Sequence, residues 1–186
     1  IIFSSTVGSP LLRIPASGGD ARALTKLTAG QSSHRFPTFL PGGREFLFYA
    51  GGRTPDAIGI FLGSMDGSAS TRLTPADAGG TYDPAGWLLF VRAGRLLAQQ
   101  LDARRRQLMG VPLFVGDVMS DVVRRAAAVS VSSGGTVAYR GGAGTGRRQL
   151  MWFDRSGKAS GVFGGPDDGG LATPRLSPDG RRVAVW

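Results

Sequence analysis

Three stretches of the sequence bring together residue types that do chemistry. Residues 141–148, GGAGTGRR, have the glycine spacing of a loop that cradles phosphate. Residues 63–67, GSMDG, set a serine near an aspartate, and residues 164–170, GGPDDGG, set Asp167 beside Asp168. Each fails on its own terms. Arg147 stands where a phosphate loop needs lysine, and Arg148 where a hydroxyl would hold magnesium. The QLMWF that follows reads as a strand, so no helix N-terminus would face a phosphate. Ser64 lacks the Gly-x-Ser-x-Gly elbow of a nucleophile, and Asp66-Gly67 reads as a hairpin turn. Adjacent carboxylates in a glycine-rich loop point apart, and a calcium loop needs ligands at alternate positions. Asp167 and Asp168 therefore read as solvated turn residues.

The rest of the inventory is equally restrictive. There is no cysteine, hence no disulfide, thiolate metal site or cysteine nucleophile. His34 is the sole histidine, so one imidazole base at most is available and a histidine-built zinc site is out of reach. No cofactor, metal or catalytic residue is expected from this pattern.

The elements that would position any site are legible in the turns. Residues 176–186, LSPDGRRVAVW, join a Ser-Pro-Asp-Gly turn to an alternating apolar run. Proline suits the second turn position, aspartate tolerates the third, and glycine takes the left-handed conformation that lets a hairpin close. Similar turns precede EFLFY (Pro41-Gly42-Gly43), WLLFV (Pro84-Ala85-Gly86) and TVAYR (Ser133-Gly134-Gly135). Their closing glycines, Gly43, Gly86, Gly135 and Gly180, recur at roughly 43 to 49 residues, the length of a propeller blade. Apolar residues follow at one offset after Gly43 and Gly180 (Phe46, Phe48; Val183, Val185) and at one residue less after Gly86 and Gly135 (Leu88, Phe90; Val137, Tyr139). A turn one residue shorter explains the difference, because strand faces alternate with period two.

A second strand recurs between the turns, LLRIPASGG from Leu11, IFLGSMDG from Ile60, LLAQQLDARR from Leu96 and LMWFDRSG from Leu150. Short codas, Ala23-Leu24-Thr25 and Arg72-Leu73-Thr74, suit an outer strand. Pro37 and Pro174 belong at the start of an innermost edge strand, where no ladder donor is needed. The aromatics Phe39, Phe46, Phe48, Phe61, Phe90, Tyr139, Trp152 and Phe153 fall on strands and are expected to fill the space between blades. Residues 98–109 are too rich in arginine for a core-facing helix, and 122–129 are short and uncapped. The expected fold is all-β, a β-propeller segment of four-stranded antiparallel blades with about three full blades and partial blades at both ends. The expected spans are 1–30 (partial), 34–76, 79–118, 126–165 and 171–186 (partial), a count that implies an open ring. The chain begins with Ile1 and stops inside a strand pattern, and so reads as a piece of a repeat protein.

These same residues, LSPDGRRVAVW, FPTFLPGGREFLFY and LMWFDRSGK, resemble PD40 repeats, the WD40-like propeller repeats of TolB-type proteins. The GWLLFVRAGRLLAQ and VSSGGTVAYR stretches resemble the propeller region that follows the kinase domain in certain bacterial serine/threonine protein kinases. The resemblance implies a sensor or protein-interaction role, in a periplasmic or extracytoplasmic position with the kinase inside. Kinase signatures themselves are absent, with no HRD, DFG or Val-Ala-Ile-Lys segment.

Composition limits the partners. The formal charge is +9, from 22 basic against 13 acidic side chains. Almost all the basic residues are arginines in scattered pairs such as Arg124 with Arg125 and Arg181 with Arg182. That scatter argues against a nucleic-acid stripe. The longest apolar run, 87–91, is far too short to span a bilayer, and IIFSSTVGSP lacks the basic flank of a signal peptide.

Sequence reasoning therefore expects a non-catalytic propeller that binds a protein or small ligand at the mouth of its channel, where His34, Arg35 and Thr173 would sit just before innermost strands. His34 itself is expected in a loop. The alternative is the propeller of a prolyl-oligopeptidase-like serine peptidase with its catalytic domain elsewhere. A third reading, polyanion binding by the arginine surface, would show itself by a steep fall of affinity with salt.

Overall fold

The structure, a computed structural model, describes residues 1–118, 120–121, 125–141, 148–154, 156–167 and 174–184, with the backbone alone at 120, 121, 148, 166 and 167. The chain runs through successive antiparallel sheets. The first holds β1 (Ile2–Ser4), β2 (Leu11–Arg13) and β3 (Arg22–Ala23). The second is four-stranded, β4 (Gln31–Phe39), β5 (Glu45–Gly52), β6 (Gly59–Ser64) and β7 (Thr71–Thr74). The third is β8 (Thr81–Asp83), β9 (Trp87–Arg92), β10 (Arg95–Asp102) and β11 (Gln107–Asp117). A small ladder of β12 (Ser120–Asp121) and β13 (Ala126–Ala127) leads to the fourth sheet, β14 (Val129–Val131), β15 (Val137–Tyr139), β16 (Arg148–Phe153) and β17 (Ala159–Asp167). Two more strands, β18 (Arg175–Leu176) and β19 (Val183–Ala184), pair at the end.

Within each four-stranded sheet the strands follow chain order from one edge to the other. The first strands of successive sheets touch, β8 against β14 and β14 against β18. This is the all-β, propeller-type arrangement expected from the turn spacing. Among the described residues the only helical turn is a 3-10 segment at Pro55–Ala57.

Period-two geometry explains the packing. On β5, Leu47 and Tyr49 enter a cluster with Leu88 and Phe90 of the third sheet, whereas Phe46, Phe48 and Ala50 enter one with Leu11 and Leu24 of the first. On β9, Leu88 and Phe90 face the second sheet while Leu89 and Val91 join Val129 and Tyr139 of the fourth. Strands buried on both faces must be apolar at every position, which is why EFLFYA and WLLFV lack polar alternation. Each large side chain buried in this way contributes about 1.5–3 kcal/mol.

The turns set which residue meets which neighbour. Leu40 N–H donates to Glu45 O around residues 41–44, and Ser177 N–H to Arg182 O around 178–181. The other two are one residue shorter. Asp83 pairs with Trp87 around 84–86, and Ser132 N–H donates to Thr136 O around 133–135. The shorter turn brings Leu88 and Phe90 onto the face that Phe46 and Phe48 occupy in the previous sheet, toward the preceding blade. Gly43, Gly86, Gly135 and Gly180 all have positive φ, from 65° to 98°, as a left-handed turn closure requires.

Two expectations need correction. Pro37 lies within β4, at a register shift between Arg35 and Thr38, where Phe36 takes a φ of 54°. A bulge frees the ladder position that proline, lacking an N–H, cannot fill. Pro174, by contrast, immediately precedes β18. Phe39, expected between blades, is 45% exposed. It is the last residue of the edge strand β4, beside the Pro41 turn.

One side chain clamps adjacent sheets. Arg106, in the β10–β11 turn, donates from Nε to Thr71 Oγ1 at 3.0 Å and from Nη2 to the Leu62 carbonyl at 2.8 Å and the Ala69 carbonyl at 3.4 Å. Its Nη1 reaches Glu45 Oε1 at 3.2 Å. All four partners belong to the second sheet or to the β6–β7 turn beside it. Arg106→Ala is expected to lower stability in urea denaturation by about 2–3 kcal/mol, since hydrogen bonds from a charged donor are lost. Glu45→Gln should cost about 0.5 kcal/mol, because that pair is partly solvated. Arg106 has a φ of 56°, so Arg106→Gly should be less damaging than the alanine variant by about 1 kcal/mol.

Candidate functional site

A cleft of about 880 Å³ opens between the first and second sheets. Its floor is apolar, formed by Leu24, Phe48 and Phe61. Thr25, Gln31 and His34 supply polar groups, and among the described lining residues Lys26 alone carries a permanent charge. The sheets position these groups directly. Leu24 and Thr25 follow β3, tied by their N–H groups to the Leu11 carbonyl; Gln31 and His34 are on β4, Phe48 on β5 and Phe61 on β6.

His34 is the centre of this arrangement. It lies in β4 instead of the expected loop, is 2% exposed, and its ring sits 4.6 Å from that of Phe48. Thr25 Oγ1 accepts the Leu11 N–H at 2.9 Å and is 2.8 Å from His34 Nδ1. Gln31 Oε1 accepts the Thr28 N–H at 2.9 Å and is 2.9 Å from His34 Nε2. With its oxygen already an acceptor, the Thr25 hydroxyl has its proton available for Nδ1. The Gln31 oxygen can only accept, so Nε2 carries the proton. This chain of bonds fits one tautomer of the neutral ring. Burial lowers the His34 pKa from 6.5 to about 4, because a charged imidazolium would lose its water. The ring is therefore neutral at pH 7 with both nitrogens engaged, so the imidazole is not free to act as a base.

The other sequence candidates are dispersed. Arg35 follows His34 on β4, opposite Tyr49 of β5. Thr173, Asp168 and residues 142–147 lie outside the described residues. Asp66 is a turn residue, as expected. Its carboxylate accepts the Ser68 N–H at 2.8 Å, which with the Ser68 and Ser64 hydroxyls holds its pKa below the ordinary value. Among the described residues no group of three or more His, Cys, Asp or Glu side chains could hold a metal ion. No helix among them is long and apolar enough to cross a membrane. Sequence reasoning missed Thr25, Gln31, Phe48 and Phe61 as cleft residues. The coda around Thr25 signalled a strand, and nothing local signalled its partner nine residues on.

No protein-family model matches the chain, and no curated protein does. Solved structures do. A calcium-binding protein, regucalcin from Agrobacterium tumefaciens, superposes with a TM-score of 0.65 at 17% identity, over 96% of this chain and 61% of its own. Virginiamycin B lyase from Staphylococcus aureus superposes with a TM-score of 0.55 at 13% identity, over 96% of this chain and 56% of its own. The chain thus spans less than two thirds of either neighbour. At such identities the likeness is one of fold, and that fold is the β-propeller.

The buried ring links stability to pH. The unfolded chain binds the His34 proton below about 6.5 and the folded chain only below about 4, so acid favours unfolding between those values and exerts no further effect through this group beneath them. Between pH 7 and 5 the folding free energy is expected to fall by about 2 kcal/mol through His34. Urea denaturation at both pH values checks this, and His34→Gln should remove that share of the slope.

Proposed function

We propose that this chain is a non-catalytic propeller segment that binds a protein or a small ligand and forms the sensor portion of a larger bacterial serine/threonine protein kinase. The observation that carries the reading is the cleft beside His34. It has sheet-built walls, an apolar floor and a polar rim, and its one histidine is spent on internal hydrogen bonds. Such a surface is equipped to hold a ligand by shape and a few polar contacts, and offers no free imidazole for proton transfer. The resemblance of residues 86–99 and 131–140 to the propeller region of bacterial serine/threonine protein kinases supports the kinase context by analogy of sequence. On this reading His34 and Arg35 belong to the binding region through β4, and Thr173 joins them by the repeat alignment.

The parent coding sequence tests the context. An upstream domain with HRD and DFG segments is the expected result, whereas a downstream Gly-x-Ser-x-Gly hydrolase domain would replace this reading with the peptidase one. Nucleic acid is not the proposed partner. Titration with a random DNA duplex is expected to give only weak association that vanishes by about 0.2 M salt. Tight binding that survives this salt would contradict the proposal.

A further inference from the structure

A second cleft, of about 540 Å³, lies between the third and fourth sheets, and its chemistry differs from the first. Trp87 and Phe114 of the third sheet wall one side, and Tyr139 and Phe153 of the fourth wall the other. The last two rings stack, with centroids 5.2 Å apart. Asp83 and Asp154 also line the cleft, and no described lining residue is basic, although the chain carries 22 basic side chains against 13 acidic. Arg155, next to Asp154, lies outside the described residues. The nearby Arg95 is stacked on the Phe114 ring at 4.5 Å, so an aromatic face of this region already holds a cation.

Both carboxylates have one oxygen committed to a turn. Asp83 is only 6% exposed, and its Oδ1 accepts the Ala85 N–H at 2.7 Å. Asp154 Oδ1 accepts the Ser156 N–H at 2.9 Å, the Ser156 hydroxyl at 2.6 Å and the Lys158 N–H at 3.0 Å. In neither residue does the second oxygen have a hydrogen-bond partner among the described residues. The Ser156 hydroxyl, with the Lys158 and Ser156 N–H groups, also keeps Asp154 ionised by lowering its pKa. Asp154 is exposed and the second oxygen of Asp83 is open to solvent, so both oxygens, beside aromatic rings, are available to a cationic partner.

We infer that this cleft binds a small organic cation, an ammonium group carrying an aromatic or aliphatic body, with the charge held by the free oxygens of Asp83 and Asp154 and the body laid between the aromatic walls. The site is separate from the His34 cleft and stands whether or not the chain belongs to a kinase. Its volume suits a compact small molecule.

Phenylethylamine is the probe, titrated calorimetrically and by saturation-transfer NMR into the full chain, with phenylethanol and phenylacetate as neutral and anionic counterparts. Saturable binding of the amine is expected, at least about tenfold tighter than either counterpart. Asp83→Asn and Asp154→Asn keep the oxygen that accepts the turn N–H groups and remove only the charge. Together they should abolish the preference for the amine while the urea midpoint stays close to that of the parent. Leu113→Trp, at a half-exposed lining position, should block the cleft and weaken all binding without touching either carboxylate. Equal affinity for amine and alcohol, a preference that survives both asparagine substitutions, or no saturable amine binding up to about 10 mM would overturn the inference.

Discussion

A twisted four-stranded sheet has two faces, and in this protein neither can be left to water. That constraint organises everything else. The strand β5 sends Phe46 and Phe48 to one neighbour and Leu47 and Tyr49 to the other, and β9 divides Leu88 and Phe90 from Leu89 and Val91 in the same way. A sheet built so cannot be stable alone, because burying one face leaves the other apolar surface exposed. Neighbouring sheets are therefore parts of one another's cores, and the stack is the smallest unit that makes physical sense.

Interlocking between sheets is also polar at its margins. Arg106 projects from the third sheet into carbonyls of the second, and Arg13 donates to the Met65 carbonyl across the first seam at 2.8 Å. Such contacts fix the register of one sheet on the next, which apolar packing alone specifies less sharply. The bulge at Pro37 serves the inner edge of the second sheet, where a regular ladder would need a donor that proline lacks.

Seams between sheets are where clefts can form without disturbing the strands, and two such seams differ in charge. Next to the first sheet, the lining holds Lys26 and a neutral, buried His34 with no described carboxylate. Between the third and fourth sheets the lining holds Asp83 and Asp154 with no described base. The same architecture thus carries two clefts of opposite lining charge, each formed by side chains on short strands and turns instead of long loops. In such an architecture a few seam residues can change the character of a cleft while the sheet cores stay intact.

Much of the fold was legible in the sequence because it rests on local rules. Glycine in a left-handed turn, proline beside it and an unbroken apolar run are visible within a dozen residues, and the one-residue difference between turns could be inferred from the offset of the apolar pattern. The positions of Pro37 and Phe39 were not legible, because a bulge and an uncovered strand end depend on what lies alongside. His34 shows the limit most clearly. Its place before an innermost strand suggested a loop at a blade entry, but its fate was decided by Thr25, Gln31 and Phe48, which only the pairing of β4 with β5 and the return of the chain after β3 bring to it. The sequence alone determined the class of architecture, because turns and strand faces are short-range properties. Only the tertiary structure decided which side chains share a seam, because that depends on contacts between residues far apart in the chain.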